Sequence, residues 1–187
     1  MSAGVTCGLA KRLPSRAGVN SWVLKVPAIL ILSFSLAASA WGQRVEGRVA
    51  AGVSSFADDS DVNYLTVGGD VRSYVSNRWR VEAEYLYMRY QGEFVRDRQH
   101  ILWGNVGYDV RYRSHSVRPY WIASPGIVHH RSSFNQFSNA TTEAAIATGA
   151  GVRLGSGRFF VTPQFRFGLA DGIFAEFTAS IGFVMRK

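Results

Sequence analysis

The chain has 187 residues, 47% of them hydrophobic and 13% aromatic, with a formal net charge of +8 and a single cysteine. The length beyond any leader makes one domain. The positive charge looks like a nucleic-acid signal, but its distribution weakens that reading.

Residues 1–40 hold Lys11, Arg12, Arg16 and Lys25 and no acidic residue. The apolar run 26–38 (VPAILILSFSLAA) follows, ending in Ala38-Ser39-Ala40. A basic stretch, an apolar core and small residues before a cut site predict a secretory signal peptide. About 13 apolar residues are too few to span a bilayer, which takes roughly 20. Cleavage is expected after Ala40, with Gly42 as a second position, leaving a barrel domain over 41–187. The leader removes four of the 21 basic residues and none of the 13 acidic ones, so the remainder holds 17 against 13. No nucleic-acid partner is expected at that balance. Cys7 leaves with the leader, so no disulfide or thiol chemistry is expected in the mature part.

The rest alternates apolar and polar residues with period two, the signature of a strand with two unlike faces. The first strand (about 44–55) sets Val45, Val49, Ala51 and Val53 against Arg44, Glu46, Arg48 and Ser54. The second (63–74) sets Leu65, Val67 and Val71 against Thr66, Asp70 and Arg72, and the third (79–89) sets Trp79, Val81, Tyr85 and Tyr87 against Arg80, Glu82 and Glu84. The fourth (100–112) opposes Leu102, Val106, Tyr108 and Tyr112 to Asn105, Asp109 and Arg111. The fifth (117–130) opposes Val117, Trp121 and Ile127 to Arg118, Tyr120 and Ser124, and the sixth (142–154) opposes Ile146, Val152 and Leu154 to Glu143 and Arg153. The seventh (158–169) pairs Phe159, Val161, Phe165 and Phe167 with Arg158, Gln164 and Arg166. The eighth (173–187) runs from Ile173 through Phe177, Ile181 and Phe183, with Glu176, Thr178 and Arg186 between and Phe174 and Val184 breaking the pattern.

Polar stretches at 58–61, 91–99 and 131–141 are expected to be long loops, alternating with tight turns at Ser76-Asn77, Ser114-His115 and Gly155-Ser156-Gly157. Alternation does not say which face is inside, and a soluble lipocalin would bury the apolar one. Glycines on the polar face (Gly52, Gly68, Gly107, Gly126, Gly149, Gly151, Gly168, Gly182) suit a crowded lumen instead. The apolar face carries Trp79, Tyr112, Trp121, Phe159 and Phe183 toward one rim and Tyr85, Tyr87 and Phe167 toward the other, as two aromatic girdles would. The expectation is an all-β, eight-stranded antiparallel up-and-down transmembrane β-barrel in the outer membrane, preceded by a signal peptide.

The segments RWRVEAEYLY (78–87), VRPYWIASPGI (117–127) and GAGVRLGSGRFFVTPQFRFGLA (149–170) resemble the OmpA/OmpX-type outer-membrane β-barrel domain. That resemblance implies a small porin-like barrel, folded by the barrel-assembly machinery and surrounded by outer-membrane lipids and lipopolysaccharide. A monomer without cofactor or metal is expected.

Seventeen charges fall on the inward face: Arg44, Arg48, Arg72, Arg80, Arg111, Arg118, Arg153, Arg158, Arg166 and Arg186 against Glu46, Asp70, Glu82, Glu84, Asp109, Glu143 and Glu176. Eight strands leave an interior only wide enough for side chains, so these are expected to form a polar plug of ion pairs. Two other readings stand beside a non-enzymatic envelope protein that makes surface contacts through its loops. One is a narrow channel for small or hydrophobic solutes. The other is a hydrolase like the PagL-type lipid A deacylases, whose His-x-Ser pair is matched by His130-x-Ser132 without the Asn that usually follows. Gln136-x-Ser138-Asn139 has the Ser-Asn but lacks the His. Adjacent His129 and His130 point to opposite faces of a strand, which disfavours a shared metal.

Overall fold

The computed structural model describes residues 44–57, 59–91, 95–110, 116–134, 137–170 and 172–186, with the side chains at 59–62, 91, 95, 96, 134, 137 and 186 excepted. The leader, Arg111, Tyr112, the Ser114-His115 turn and Gln136 lie outside the described residues.

Eight strands follow one another: β1 (Val45–Phe56), β2 (Asp59–Tyr74), β3 (Trp79–Gln91), β4 (Val95–Asp109), β5 (Val117–Phe134), β6 (Phe137–Leu154), β7 (Phe159–Ala170) and β8 (Gly172–Arg186). Each pairs antiparallel with its sequence neighbour, and β1 closes on β8 with Val49 opposite Ile181 and Gly52 opposite Thr178. Closure satisfies the backbone of both terminal strands and leaves no edge along the wall.

The apolar face is outside. Val49, Trp121, Ile146, Phe159 and Ile181 are each more than 60% exposed, while Arg72 and Arg166 inside are fully buried. A soluble barrel would have the reverse. Glycines make room for the inward rings: a Cβ at Gly126 would overlap Trp103, one at Gly151 would overlap Tyr120, and one at Gly182 would overlap Phe160. Two turns need a left-handed glycine, Gly155 after β6 and Gly172 between β7 and β8.

Among the described residues, the stretches expected to be long loops are strand. Arg98 pairs with Arg89 and Arg131, and Ser132 with Asn139, in stretches expected to be irregular. At the loop end both faces of the ladder carry polar residues, so the pairing continues while the alternation that announces it disappears. Because β6 pairs with β7 only from Ile146 to Leu154, strands β3–β6 rise as a sheet above the β7–β8 hairpin.

Candidate functional site

The lumen has two unlike halves. Nearer the termini it is an ion-pair network centred on two carboxylates. Glu82 receives Arg48 Nη2 at 3.0 Å and is also in contact with Arg80 and, at 3.4 Å, with Arg72. Glu46 takes Arg44 at 2.7 Å and Arg153 at 3.2 Å, with Arg72 at 3.8 Å. Asp70 accepts Arg48 Nε at 2.7 Å, and Asp109 meets Arg80. The contacts of Arg72 are too long for hydrogen bonds, so its attraction to these groups is Coulombic. Above this layer Arg166 bridges Glu84 and Glu176, and Asn105 donates to Glu84 at 2.7 Å. Guanidinium faces are covered too, Arg80 lying 4.0 Å from the Tyr120 ring centre and Arg153 4.1 Å from that of Phe160.

Toward the loops the filling is mostly apolar, with Ser54, Thr66 and Gln99 among the rings, which corrects the expectation of a charged lumen throughout. Leu86, Met88, Ile101, Trp103, Val128 and Phe174 are all buried there, together with Phe56 and Tyr64. Trp103 stacks on Phe174 at 6.1 Å and Phe56 meets Tyr64 edge-on at 5.3 Å. Leu86 and Met88 continue the inward row of Glu82 and Glu84, and Phe174 continues that of Glu176. The rows change from charged to apolar along the same face, so an apolar run such as Tyr85–Met88 hides them.

Other expected lumen charges lie elsewhere. Arg158 is exposed in the turn before β7, a correction whose cause is that β7 starts at Phe159 and turns Phe160 inward. Glu143 is half-buried at the loop end opposite Val128, away from the network. Arg118 sits at the terminus-end mouth, lining an open cavity of about 310 Å³ with Arg44, Tyr74, Ser76 and Asn77.

At the loop-end mouth, Asp97 binds His130 Nε2 at 2.5 Å and Tyr64 hydroxyl at 2.6 Å. This cluster lies beyond the Tyr87–His100 aromatic row, outside the lipid-facing band. Burial by itself pushes the Asp97 carboxyl up, but the hydrogen bonds from His130 and Tyr64 outweigh it and hold the group below the usual carboxylate range. Ser132 shares the inward face with His130 and pairs in register with Asp97.

On the outside, Trp79 packs edge-on against Tyr108 at 5.0 Å near Trp121, and Phe159 pairs with Phe183, forming one aromatic rim. Tyr85 and Tyr87 lie at the other, where Tyr85 hydroxyl meets His100 Nδ1 at 2.6 Å, and Phe167 is exposed on β7. Sequence reasoning missed His100 as part of this row, and missed Arg89, Arg98 and Arg131 just beyond it. Only the register between strands aligns them.

The model of the outer membrane protein beta-barrel domain matches residues 26–171. The chain belongs to that family. Membership puts it among outer-membrane barrels. Solved structures similar to it share the fold at low identity. Neisserial surface protein A is 14% identical with a TM-score of 0.63, the match covering 76% of this chain and 96% of that one. The N-terminal β-barrel domain of Pseudomonas aeruginosa OprF is 12% identical with a TM-score of 0.57, covering 75% and 97%. Ail, the attachment invasion locus protein of Yersinia pestis, is 13% identical with a TM-score of 0.54, covering 76% and 96%. Among curated proteins none matches the sequence. As a member of the outer-membrane β-barrel family, the chain has its distinguishing chemistry in the filling of the lumen and in the residues that crown the loop end.

Proposed function

We propose that this is a closed, non-enzymatic outer-membrane barrel that contributes to envelope integrity and makes surface contacts through the sheet rising from its loop end. The leader over 1–40 would export it, the barrel-assembly machinery would insert it, and the mature barrel would act as a monomer among outer-membrane lipids and lipopolysaccharide. With the short turns facing the periplasm, the β3–β6 sheet faces outward. The observation that carries the reading is the double filling of the lumen: ion pairs around Glu82 and Glu46 in one half, Trp103, Met88 and Phe174 in the other. Buried side chains of the described residues occupy both halves, which disfavours the channel.

The hydrolase reading has weaker support. His130 is bonded to Asp97 as a general base would be to its orienter, yet His130 and Ser132 face the lumen, whereas an acyl chain lies outside the wall. Purified protein incubated with lipid A is expected to release no fatty acid, and release abolished by Ser132→Ala would replace the present reading.

Envelope fractionation tests the reading as a whole. Mature protein beginning near Trp41 or Gln43 is expected in the outer-membrane fraction, with gel mobility that changes on boiling. A soluble periplasmic product would sink it.

A further inference from the structure

The terminus-end mouth holds a cation that the ion-pair layers do not use. Arg44, Arg48, Arg72, Arg80, Arg153 and Arg166 each have a carboxylate within reach, Arg72 being the loosest at 3.4 Å. Against these six stand six carboxylates, Glu46, Asp70, Glu82, Glu84, Asp109 and Glu176, so the layers balance by themselves. Arg118 is one positive charge more. Among the described residues no ion pair or hydrogen bond engages it, and in register it faces Arg153 across β5 and β6. Like charges so placed on neighbouring strands repel. The sequence that joins or flanks these strand ends, 41–44, 75–78, 110–116, 155–158 and 185–187, contains no aspartate or glutamate to relieve them.

Arg118 lines a cavity of about 310 Å³ together with Arg44, Tyr74, Ser76 and Asn77. The polar groups around that space are rich in donors. The Tyr74 hydroxyl is buried without a hydrogen-bond partner, the residue being 8% exposed. Arg44 Nε is likewise unpaired, although Arg44 Nη2 holds Glu46 at 2.7 Å. Ser76 Oγ accepts the backbone N–H groups of Arg78 and Trp79 at 3.3 and 3.1 Å, which leaves its own proton for an acceptor. A buried donor without an acceptor costs stability, and two of them border this one space. Arg153 is already committed, donating to the Gly155 carbonyl at 3.1 Å and pairing with Glu46 at 3.2 Å. Tyr74 continues the inward row of Asp70 and Arg72, and Arg118 that of Tyr120, so the cavity belongs to the lumen and not to the lipid-facing wall.

We propose that this mouth binds a small carboxylate-bearing ligand, its carboxylate held by Arg118 and Arg44 with the hydroxyls of Tyr74 and Ser76 donating to it. The charge balance selects the anion. One spare guanidinium is neutralised by a monoanion, whereas a dianion would overshoot. A guanidinium also presents two parallel N–H groups to the two oxygens of a carboxylate. The cavity is at the small end of ligand pockets, which begin near about 300 Å³, so the ligand has the size of a metabolite and not of a polymer. That it comes from the periplasm rests on the orientation proposed above, with the short turns on that side. Binding to the purified barrel does not.

The test uses the full mature barrel folded in neutral detergent, titrated by calorimetry and followed through the side-chain N–H resonances of its arginines. The probes are N-acetylglycine, its uncharged amide N-acetylglycinamide, and inorganic phosphate. N-acetylglycine is expected to bind saturably, with the largest shifts at Arg44 and Arg118, and about tenfold more tightly than the amide. Inorganic phosphate is expected to compete only weakly, which separates a carboxylate ligand from any free anion. Arg118→Gln is expected to lower the affinity about tenfold and to leave the barrel at least as stable as wild type, because it removes one member of a like-charge pair. Tyr74→Phe keeps every charge and is expected to weaken binding through the lost donor alone. Arg158→Gln, exposed at the same rim, is expected to change neither binding nor stability. A strongly destabilised Arg118→Gln barrel would show that the arginine already has an internal counter-charge, and would overturn the proposal. So would equal binding of acid and amide, phosphate binding as tight as the acid, an equal loss in Arg158→Gln, or shifts that never saturate, which would mean an adventitious ion only. Envelope fractionation reads location independently, so a failure of binding and a failure of location are told apart.

Discussion

Arg48 on β1 and Glu82 on β3 are joined across the strand between them, Arg48 Nη2 donating to Glu82 Oε2 at 3.0 Å while Arg48 Nε holds Asp70 of β2 at 2.7 Å. One guanidinium thus ties three strands together inside the wall. Glu82 is also the carboxylate that Arg72 and Arg80 approach, so it balances several cations in a fully buried space.

Glu82→Gln should therefore cost more than an ordinary lumen substitution. It leaves Arg48, Arg72 and Arg80 short of a counter-charge, and breaking a buried pair from one side costs about 3–5 kcal/mol. Urea titration in vesicles, followed by the mobility of unboiled samples, reads the loss. A variant as stable as wild type would mean that the network is filler without cohesive value.

Close packing makes a second expectation. Gly126→Ala forces a Cβ into the Trp103 ring and the Leu102 carbonyl, and should destabilise the barrel by about 1–3 kcal/mol. Gly157, in the turn between β6 and β7, has open space around it, so Gly157→Ala should change stability by less than about 0.5 kcal/mol. The same urea titration compares them, and equal effects would contradict the packing seen at Trp103.

A third concerns conductance. Protein reconstituted in planar bilayers should show no stable single-channel steps, because both halves of the lumen are occupied. Removing bulk from the loop-end half alone, as in Trp103→Ala with Phe174→Ala, should leave the barrel closed, since the ion-pair half still blocks it. Large regular steps from the wild type would refute the plug.

The mouth of the barrel has a pH dependence of definite sign. Asp97 is held below the ordinary carboxylate range, so it binds its proton less readily folded than unfolded. Its contribution to stability is present above the unfolded value of about 4 and is lost as pH falls through the folded one. Thermal melts of wild type and Asp97→Asn should differ at neutral pH and converge as pH drops below about 4. A gap that widens in acid would mean that His130 and Tyr64 do not stabilise the charged carboxylate.

How much of this was legible in the residues differs from one part of the molecule to another. Alternation reported the faces of the strands well wherever one face meets lipid and the other a charged lumen, as along Phe159–Ala170. It was blind where both faces are apolar, as at Tyr85–Met88, and where both are polar, as at Asp97–Gln99 and Ser138–Thr142. At Tyr85–Met88 and Asp97–Gln99 the two sides of the strand differ in burial but not in residue type. The Asp97–His130 pair was hidden for another reason, since its members are 33 positions apart and meet only through the β4–β5 register.

The sequence by itself determined that the polypeptide alternates, that its greasy face is rich in aromatics and its other face in arginine, glutamate and glycine, and hence that it closes as a barrel with lipid outside. Those properties follow from local periodicity and composition. Only the tertiary structure decided which inward residues share a level, so that carboxylates gather arginines near the termini and rings fill the opposite half. It alone decided that Arg89, Arg98 and Arg131 stand side by side. The reason is that strand register is set by closure of the whole barrel, and a shift of one residue between two neighbours would reverse every face and scatter every row.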